Sequence, residues 1–327
     1  MSFAFAGTPD FAARVLRHLD ERGRKPTLVI SQPDRPRGRG RKTVSPPTII
    51  EAERLRIDAL QVEDLNLPEV ADRIASTGVQ TLVVAAFGQI LRPSLLDRFL
   101  CLNVHASLLP AYRGAAPIER ALAAGEERVG VSIMRMTPGL DEGPWALQTA
   151  LSVGLHDDTG SLEHALALLG ALGIDQVLTG IADGTVCWHE QGHGASYAHK
   201  LSAADTFLDV SLSARALHAH VRALSPHVGV RTHSGEVEFK IWRTWPYGSP
   251  GLDAVPPPGL SVADTPGRLM ASAGRLFLGC SQGVVELLLV QPAGKARMRV
   301  ADFLRGYGTR LGARVDPPAG AAGAVPV

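Results

Sequence analysis

Four short apolar runs, at residues 3–7, 28–31, 81–87 and 99–104, alternate with amphipathic stretches across the first half of the chain. Runs of this length without polar alternation read as strands covered on both faces. Helix-start signals lie between them. Thr8 is placed to cap a first helix, with Pro9 at its first position and Gly23 just past its end. Ser45 before Pro46, and Pro68 before Glu69-Val70-Ala71, mark two further starts. Residues 129–136 and 145–153 look like late strands, and 162–181 like a long helix closing the domain. Such alternation predicts an α/β fold: a Rossmann-like, doubly wound domain with a parallel sheet and helices on both faces. Neither GxGxxG nor GxxxxGK occurs, so neither a dinucleotide nor a nucleoside triphosphate is indicated.

A length of 327 residues suits two domains of ordinary size, and the pattern changes accordingly. The first domain is read as residues 1–183, and the mixed, glycine-containing stretch 184–206 as a linker. From Phe207, short alternating runs such as Glu236-Val237-Glu238-Phe239-Lys240-Ile241-Trp242 lie between Pro/Gly turns, the look of a small β-barrel over residues 207–314. Pro256-Pro257-Pro258-Gly259 reads as an exposed loop. Residues 315–327 are almost entirely Pro, Ala, Gly and Val and read as a disordered tail.

The net charge of +1 conceals a division: residues 1–206 carry 20 Lys/Arg against 24 Asp/Glu, and residues 207–314 carry 13 against 7. A basic second domain beside a mildly acidic first one is either the footprint of a polyanion binder or an ordinary fluctuation of surface charge. Cys101, Cys187 and Cys280 are odd in number and form no CxxC pair, which points to reduced thiols in a cytoplasm and away from a disulfide framework or zinc site. No apolar run reaches the roughly 18 residues of a membrane span. The N-terminus enters the strand-like Phe3-Ala4-Phe5-Ala6 directly, so no signal or transit peptide is expected.

Chemistry concentrates at Asn103-Val104-His105-Ala106-Ser107-Leu108-Leu109-Pro110. In a strand, side chains at i and i+2 share a face, so Asn103 and His105 project together at the end of an apolar run. Open α/β sheets build their sites at that end of a strand. Asp141 follows in Gly139-Leu140-Asp141-Glu142-Gly143, between glycines that permit a sharp turn. An amide and an imidazole can donate to oxygen charge developing on an attacked carbonyl, the imidazole can move a proton, and the carboxylate can orient it. No nucleophilic Ser or Cys is implied, so direct acyl transfer to an amine fits. The plain alternative is that Asn103 forms a turn and His105 is a satisfied buried histidine.

The pattern Asn-x-His-x-Ser-Leu-Leu-Pro with a downstream Asp resembles the 10-formyltetrahydrofolate-dependent formyltransferases. Arg113-Gly114-Ala115-Ala116-Pro117-Ile118 is similar to the branch of that family that acts on methionyl-tRNA. So are Phe5-Ala6-Gly7-Thr8-Pro9-Asp10-Phe11, Gln32-Pro33-Asp34-Arg35-Pro36 and Leu289-Val290-Gln291-Pro292-Ala293-Gly294-Lys295, so that the resemblance runs from about residue 3 to 305. It implies a formyl group moved from 10-formyltetrahydrofolate to the α-amine of methionyl initiator tRNA, without a metal. Asn103 and His105 would stabilise the oxyanion, and Asp141 would orient His105 and assist proton transfer. Folate would lie along Phe87, Gly88, Gln89, Ile90 and Leu91 and along Ser107, Leu108, Leu109 and Pro110. The second domain would be an oligonucleotide-binding-type barrel. Cations Arg35, Arg37, Arg39, Arg41 and Lys42, Arg39 best placed, would approach the tRNA acceptor stem. Neither a membrane nor an obligatory protein partner is implied.

Other readings compete. His189-Glu190-Gln191-Gly192-His193 matches HExxH, but Gly192 and Gly194 weaken the helix that a zinc site of this kind needs. The loop at 35–42 can be a solvated flexible surface. A formyltransferase for an amino-sugar nucleotide or glycinamide ribonucleotide would share Asn, His and Asp. A hydrolase of formyl-folate, or a non-catalytic RNA-binding module on the same fold, are further alternatives. The chain departs from the family's usual wording at Ala106, Glu142 and Pro144, all beside the candidate catalytic residues.

Overall fold

The apolar runs become the middle of a seven-stranded mixed sheet. The chain is described by a computed structural model over residues 1–37, 42–248 and 265–315. Contacts divide it into a first unit of Met1–Pro117, Arg128–Val153 and Ser161–His199, and a second of Ile118–Glu127, Gly154–Gly160 and the chain from Lys200 onward. Up to His199 the strands are β1 (Ala4–Gly7), β2 (Leu28–Ser31), β3 (Arg35–Arg37), β4 (Lys42–Val44), β5 (Ala59–Gln61), β6 (Thr81–Ala85), β7 (Leu100–His105), β8 (Arg113–Gly114), β9 (Arg128–Arg135), β10 (Trp145–Ser152) and β11 (Tyr197–Ala198). The helices are α1 (Asp10–Glu21), α2 (Pro47–Arg54), α3 (Pro68–Ala75), α4 (Pro93–Leu96), α5 (Pro117–Ala123) and α6 (Thr159–Ala182).

The main sheet has the order β10-β9-β7-β6-β1-β2-β5. Strands β5, β2, β1, β6 and β7 are parallel. The expected parallel sheet nonetheless ends in an antiparallel pair, because β9 runs against β7 and β10 against β9. A short connection, residues 136–144, can join β9 to β10 only if they are antiparallel. That connection carries Asp141. Strand order reverses beside β1, so the C-terminal ends of β1, β6 and β7 flank the switch point where such sheets bind ligands.

Helix packing follows from residue size. Cys101, Leu82, Val84, Ala4, Ala6, Leu28 and Ile30 share a core with Val70, Ile74 and Leu95 from α3 and α4. On the opposite face, Gly170 and Gly173 of α6 approach so closely that an added Cβ would meet Val104 Cγ1 at 2.5 Å and Ile133 Cγ1 at 2.8 Å. By length and composition α6, 24 residues long with a mean hydropathy of 1.7 in its most apolar window, could cross a membrane. Counting uninterrupted runs misses this, because His164 and Asp175 interrupt the apolar stretch. In the fold its Leu166, Ala167, Ala171, Ile174 and Leu178 are wholly buried in the protein core.

Two local expectations are corrected. Pro9, not Thr8, occupies the cap position of α1, and it makes no side-chain capping bond. Thr8 Oγ1 instead accepts from Gln32 N at 3.4 Å, joining the loops that follow β1 and β2. Residues 184–206, read as a linker, are built into the first unit as far as His199: His189 bridges Trp145, and β11 pairs with β8.

The second unit is a six-stranded antiparallel sheet. Its strands are β12 (Val230–Ser234), β13 (Val237–Tyr247), β14 (Leu269–Ser272), β15 (Arg275–Gly279), β16 (Val284–Pro292) and β17 (Met298–Arg299), in the order β12-β13-β16-β15-β14 with β17 beside β16. Residues 312–315 connect its edges. Leu269 N donates to Ala313 O on the β14 side, while Ser234 Oγ donates to Gly312 O and Arg314 O on the β12 side. Helices α7 (Ala214–Ala223) and α8 (Val300–Tyr307) fill the core with Leu217, Val221 and Phe303. Burial pushes the His218 imidazole down to about 4, and its Nε2 donates to Leu155 O at 2.9 Å. Together with Arg222 Nη1, which donates to Gly154 O at 2.9 Å and Asp157 O at 3.0 Å, this bond explains why residues 154–160 belong to the second unit. The proline-rich loop at 256–259 and the tail from 316 onward lie outside the described residues.

In the first unit, Glu51 is buried where α2 meets α1. Arg17 grips it through two bonds, Nε to Oε1 at 3.0 Å and Nη2 to Oε2 at 2.7 Å, and Arg54 adds two more to Oε1, from Nε at 3.1 Å and from Nη2 at 2.6 Å. The Arg17 bond, followed by Arg54 and opposed by burial, holds its carboxyl at about 2. A carboxyl depressed by folding stabilises the protein above its unfolded pKa and stops doing so as pH falls through the folded one. Glu51→Gln should therefore cost on the order of 2 kcal/mol at pH 7. Urea melts of both proteins should converge as pH drops from about 4.5 towards 2.

Candidate active site

Strand β7 brings the amide and imidazole together as its alternation requires. Cys101, Asn103 and His105 occupy one face, and Leu102 and Val104 the other. Pairing with β9 sets Asn103 opposite Met134 and His105 opposite Ser132. The β9–β10 connection then lays Asp141 over them. Asn103 Nδ2 donates to Asp141 Oδ1 at 3.2 Å, and Asp141 Oδ2 lies 3.6 Å from His105 Nδ1. Gly114 N donates to the same Oδ2 at 2.9 Å. The Asp141 and His105 side chains are 11% and 6% exposed, so these contacts act in a largely dehydrated site.

The hydrogen-bond pattern fixes roles. His105 Nε2 lies 2.9 Å from the Tyr112 carbonyl, which can only accept, so Nε2 carries a proton. Nδ1 is left facing the carboxylate and can hold a second proton there. The Asn103 amide uses one hydrogen on Asp141 and keeps the other. Asp141 itself has a φ of 52°, a left-handed conformation that Asp tolerates better than most residues. The site thus offers an amide donor, a carboxylate and an imidazole able to exchange a proton with it.

A polar frame that the sequence reading missed holds this edge. Ser132 Oγ, fully buried on β9, donates to Ser107 O at 2.7 Å and accepts from Leu109 N at 3.0 Å. Gln148 Nε2 on β10 donates to Leu109 O at 2.7 Å. Gln191 Nε2 donates to the carbonyls of Asp141 and Gly143, and Arg113 donates to Gln191 Oε1. A polar residue inside an apolar strand, as Ser132 is, was the available signal. Gln191 offered none, since its partners are distant in sequence.

The residues expected to line a folate pocket follow β6 and β7, neighbouring parallel strands. Phe87, Leu91 and Leu109 put their side chains into the core, whereas Ile90 is 62% exposed. Gln89 spans the adjoining loop, accepting from Leu65 N and donating to Glu63 O. Gly88 turns at a φ of 80°. The carbonyls of Phe87, Ile90, Ser107 and Leu109 each accept one bond from within the protein, from Gln32, Asn66, Ser132 and Gln148. Each carbonyl keeps a second lone pair. Ser107 Oγ donates to Ala111 O at 2.6 Å, and the Leu109–Pro110 peptide is cis.

The two described ends of the basic stretch, β3 and β4, pair antiparallel, with Arg35 opposite Val44 and Arg37 opposite Lys42. Arg39 and Arg41 lie outside the described residues. The β3–β4 pair leaves the C-terminal end of β2, on the same edge of the sheet as His105. Arg35 Nη2 donates to Gln32 Oε1 at 2.9 Å, so Gln32 links its base to the Phe87 carbonyl. His189 lies in an extended bridge with Trp145 rather than in a helix, so the HExxH spacing does not set two imidazoles on one helical face. In the second unit several cations stack on aromatic rings: Arg297 lies 3.4 Å from the Trp242 ring centroid and Arg231 5.5 Å from that of Phe207.

Comparison with known proteins identifies the family of the chain. Residues 1–178 match the formyl transferase family model, and residues 200–308 match the model for the formyl transferase C-terminal domain. The methionyl-tRNA formyltransferase of Rubrobacter xylanophilus is 47% identical over 310 residues, covering 94% of this chain and 97% of the relative. That of Aromatoleum aromaticum is 38% identical over 327 residues, covering 98% of each. Among solved structures, HypX from Aquifex aeolicus in complex with tetrahydrofolic acid superposes with a TM-score of 0.64 at 12% identity, over 95% of this chain and 48% of that one, a likeness of fold. With both domain models matched in order and full-length relatives this similar, the chain belongs to the methionyl-tRNA formyltransferase family.

Proposed function

We propose that Asn103, His105 and Asp141 carry the transfer of a formyl group from 10-formyltetrahydrofolate to the α-amine of methionine on initiator tRNA. The observation that carries this reading is the Asp141 carboxylate, 3.2 Å from the Asn103 amide and 3.6 Å from the His105 imidazole. The neutral amine attacks the formyl carbon. Oxygen charge develops on the tetrahedral carbon and is met by the free N–H of Asn103 and by His105 when its Nδ1 is protonated. The amine then loses a proton to the Asp141 carboxylate, the base left when both nitrogens of His105 are protonated. The bond from carbon to folate N10 breaks, N10 takes that proton, and the products are the formylated amine and tetrahydrofolate. Asp141 keeps the imidazole oriented and offsets its charge.

The folate ring is assigned to the turns Phe87–Leu91 and Ser107–Pro110. Their support is position at the ends of adjacent parallel strands, with carbonyl lone pairs to spare. Phosphates of the tRNA are assigned to the cations of the basic stretch, Arg35, Arg37, Arg39, Arg41 and Lys42, since a guanidinium fork binds phosphate bidentately. No membrane or protein partner is needed, and a cytoplasmic setting suits three free thiols, two of them buried.

Asn103→Ala should lower kcat by about 10²- to 10³-fold while leaving formyl-folate binding nearly intact, as expected for a donor aimed at transition-state charge. Saturation kinetics with charged initiator tRNA measures both, and near-normal kcat would remove Asn103 from the mechanism. Asp141→Asn should lose most activity with little change in Tm. Unfolding, or retained turnover, would make Asp141 structural.

Neutralising Arg37, Arg39 and Arg41 together should weaken tRNA binding. The slope of log affinity against log salt should become shallower by about 0.7 to 0.9 for each lost phosphate contact. Affinity for formyl-folate should not change. An unaltered salt slope would return the basic stretch to a solvated surface role.

A further inference from the structure

The Asp141 carboxylate is aimed by its own backbone, and that backbone does not hold itself. A φ of 52° costs a non-glycine residue energy, and the neighbouring turn has no slack. A Cβ at Gly143 would overlap the Arg135 carbonyl. One side chain spans this turn. Gln191 Nε2 donates to Asp141 O at 2.7 Å and to Gly143 O at 2.8 Å, so both amide hydrogens close on carbonyls either side of Glu142. The other end of the amide is fixed as well. Gln191 Oε1 accepts from Arg113 Nε at 3.1 Å and Nη2 at 2.8 Å, and that arginine is buried. A guanidinium can only donate, so it leaves the amide a single orientation, with nitrogen towards the turn. Arg113 also extends Nη1 to Glu142 Oε1 at 3.4 Å. The residue after it, Gly114, supplies the N–H that binds the Asp141 carboxylate.

We propose that Gln191 is a positioning residue for formyl transfer: oriented by Arg113, it clamps the 141–143 turn so that the Asp141 carboxylate meets Asn103 and His105. It touches no reacting atom, and its effect passes through the Asp141 main chain. The inference rests on the role of Asp141 proposed above. It also gives a use to the segment 189–193, whose spacing resembles a metal motif.

Two variants separate positioning from stability. Gln191→Leu keeps the volume and removes every bond. Gln191→Glu keeps an acceptor for Arg113 but, when ionised, loses both donors to the turn. Both should lower kcat by about 10- to 100-fold, the range for a misplaced catalytic group. KM for formyl-folate and for charged tRNA should stay within about threefold. Gln191→Glu should melt near the parent temperature because its Arg113 contact survives. Combined with Asp141→Asn, either variant should add no further loss, since both act through one group. Normal kcat in Gln191→Glu, a loss confined to KM, or losses that multiply with Asp141→Asn would each overturn the proposal. Retained activity in Asp141→Asn alone would instead overturn the reading of Asp141, and the positioning role with it.

Discussion

The candidate catalytic edge depends on keeping one carboxylate away from water. Removing Asp141 from solvent carries a desolvation penalty that only direct hydrogen bonds and nearby charge can offset. The Asn103 amide and the Gly114 N–H provide bonds, and His105 Nδ1 lies 3.6 Å away, within ion-pair reach when protonated. These partners come from a strand, a short bridge and a loop separated in sequence by up to 38 residues. Their meeting requires the antiparallel β9–β10 pair, which folds the connecting turn back over the end of β7. The mixed sheet is therefore part of the site, since a fully parallel arrangement would carry residues 136–144 elsewhere.

Much of the first unit was legible because burial on both faces demands uninterrupted apolar residues. Runs at 3–7, 28–31, 81–87 and 99–104 hold β1, β2, β6 and β7. Strand β5 escaped notice because it is a three-residue edge strand with two exposed side chains, and hence no apolar run. The direction of β9 was not readable from composition, which reports burial and says little about polarity. The cap at Thr8 was misplaced because a proline before the first helical residue suits two adjacent positions, and the bond from Gln32 N decided between them.

The candidate catalytic residues were readable for a local reason: period two puts Asn103 and His105 on one face, and glycines announced the Asp141 turn. What holds them was not. Ser132, Gln148 and Gln191 act on carbonyls brought near by the fold, and no spacing rule reports such pairs. Gln191 lay in a stretch whose glycines suggested a linker and whose histidines suggested a metal. Strand-like pairing through His189 and through Tyr197–Ala198 overrides both impressions.

The second unit is assembled from three separate lengths of chain, and this limits its modularity. The donors of His218 and Arg222 find their acceptors in residues 154–157, which emerge from the ribosome some sixty residues earlier. A fragment beginning at residue 200 would take these acceptors from the buried His218 imidazole and the half-buried Arg222 guanidinium, and for the imidazole an unmet donor costs about 1–3 kcal/mol. The annealed sheet is thus no cassette to be grafted onto another enzyme or lost by a single cut. Insertions and recombination would be tolerated between complete sets of these segments, not at the apparent seam.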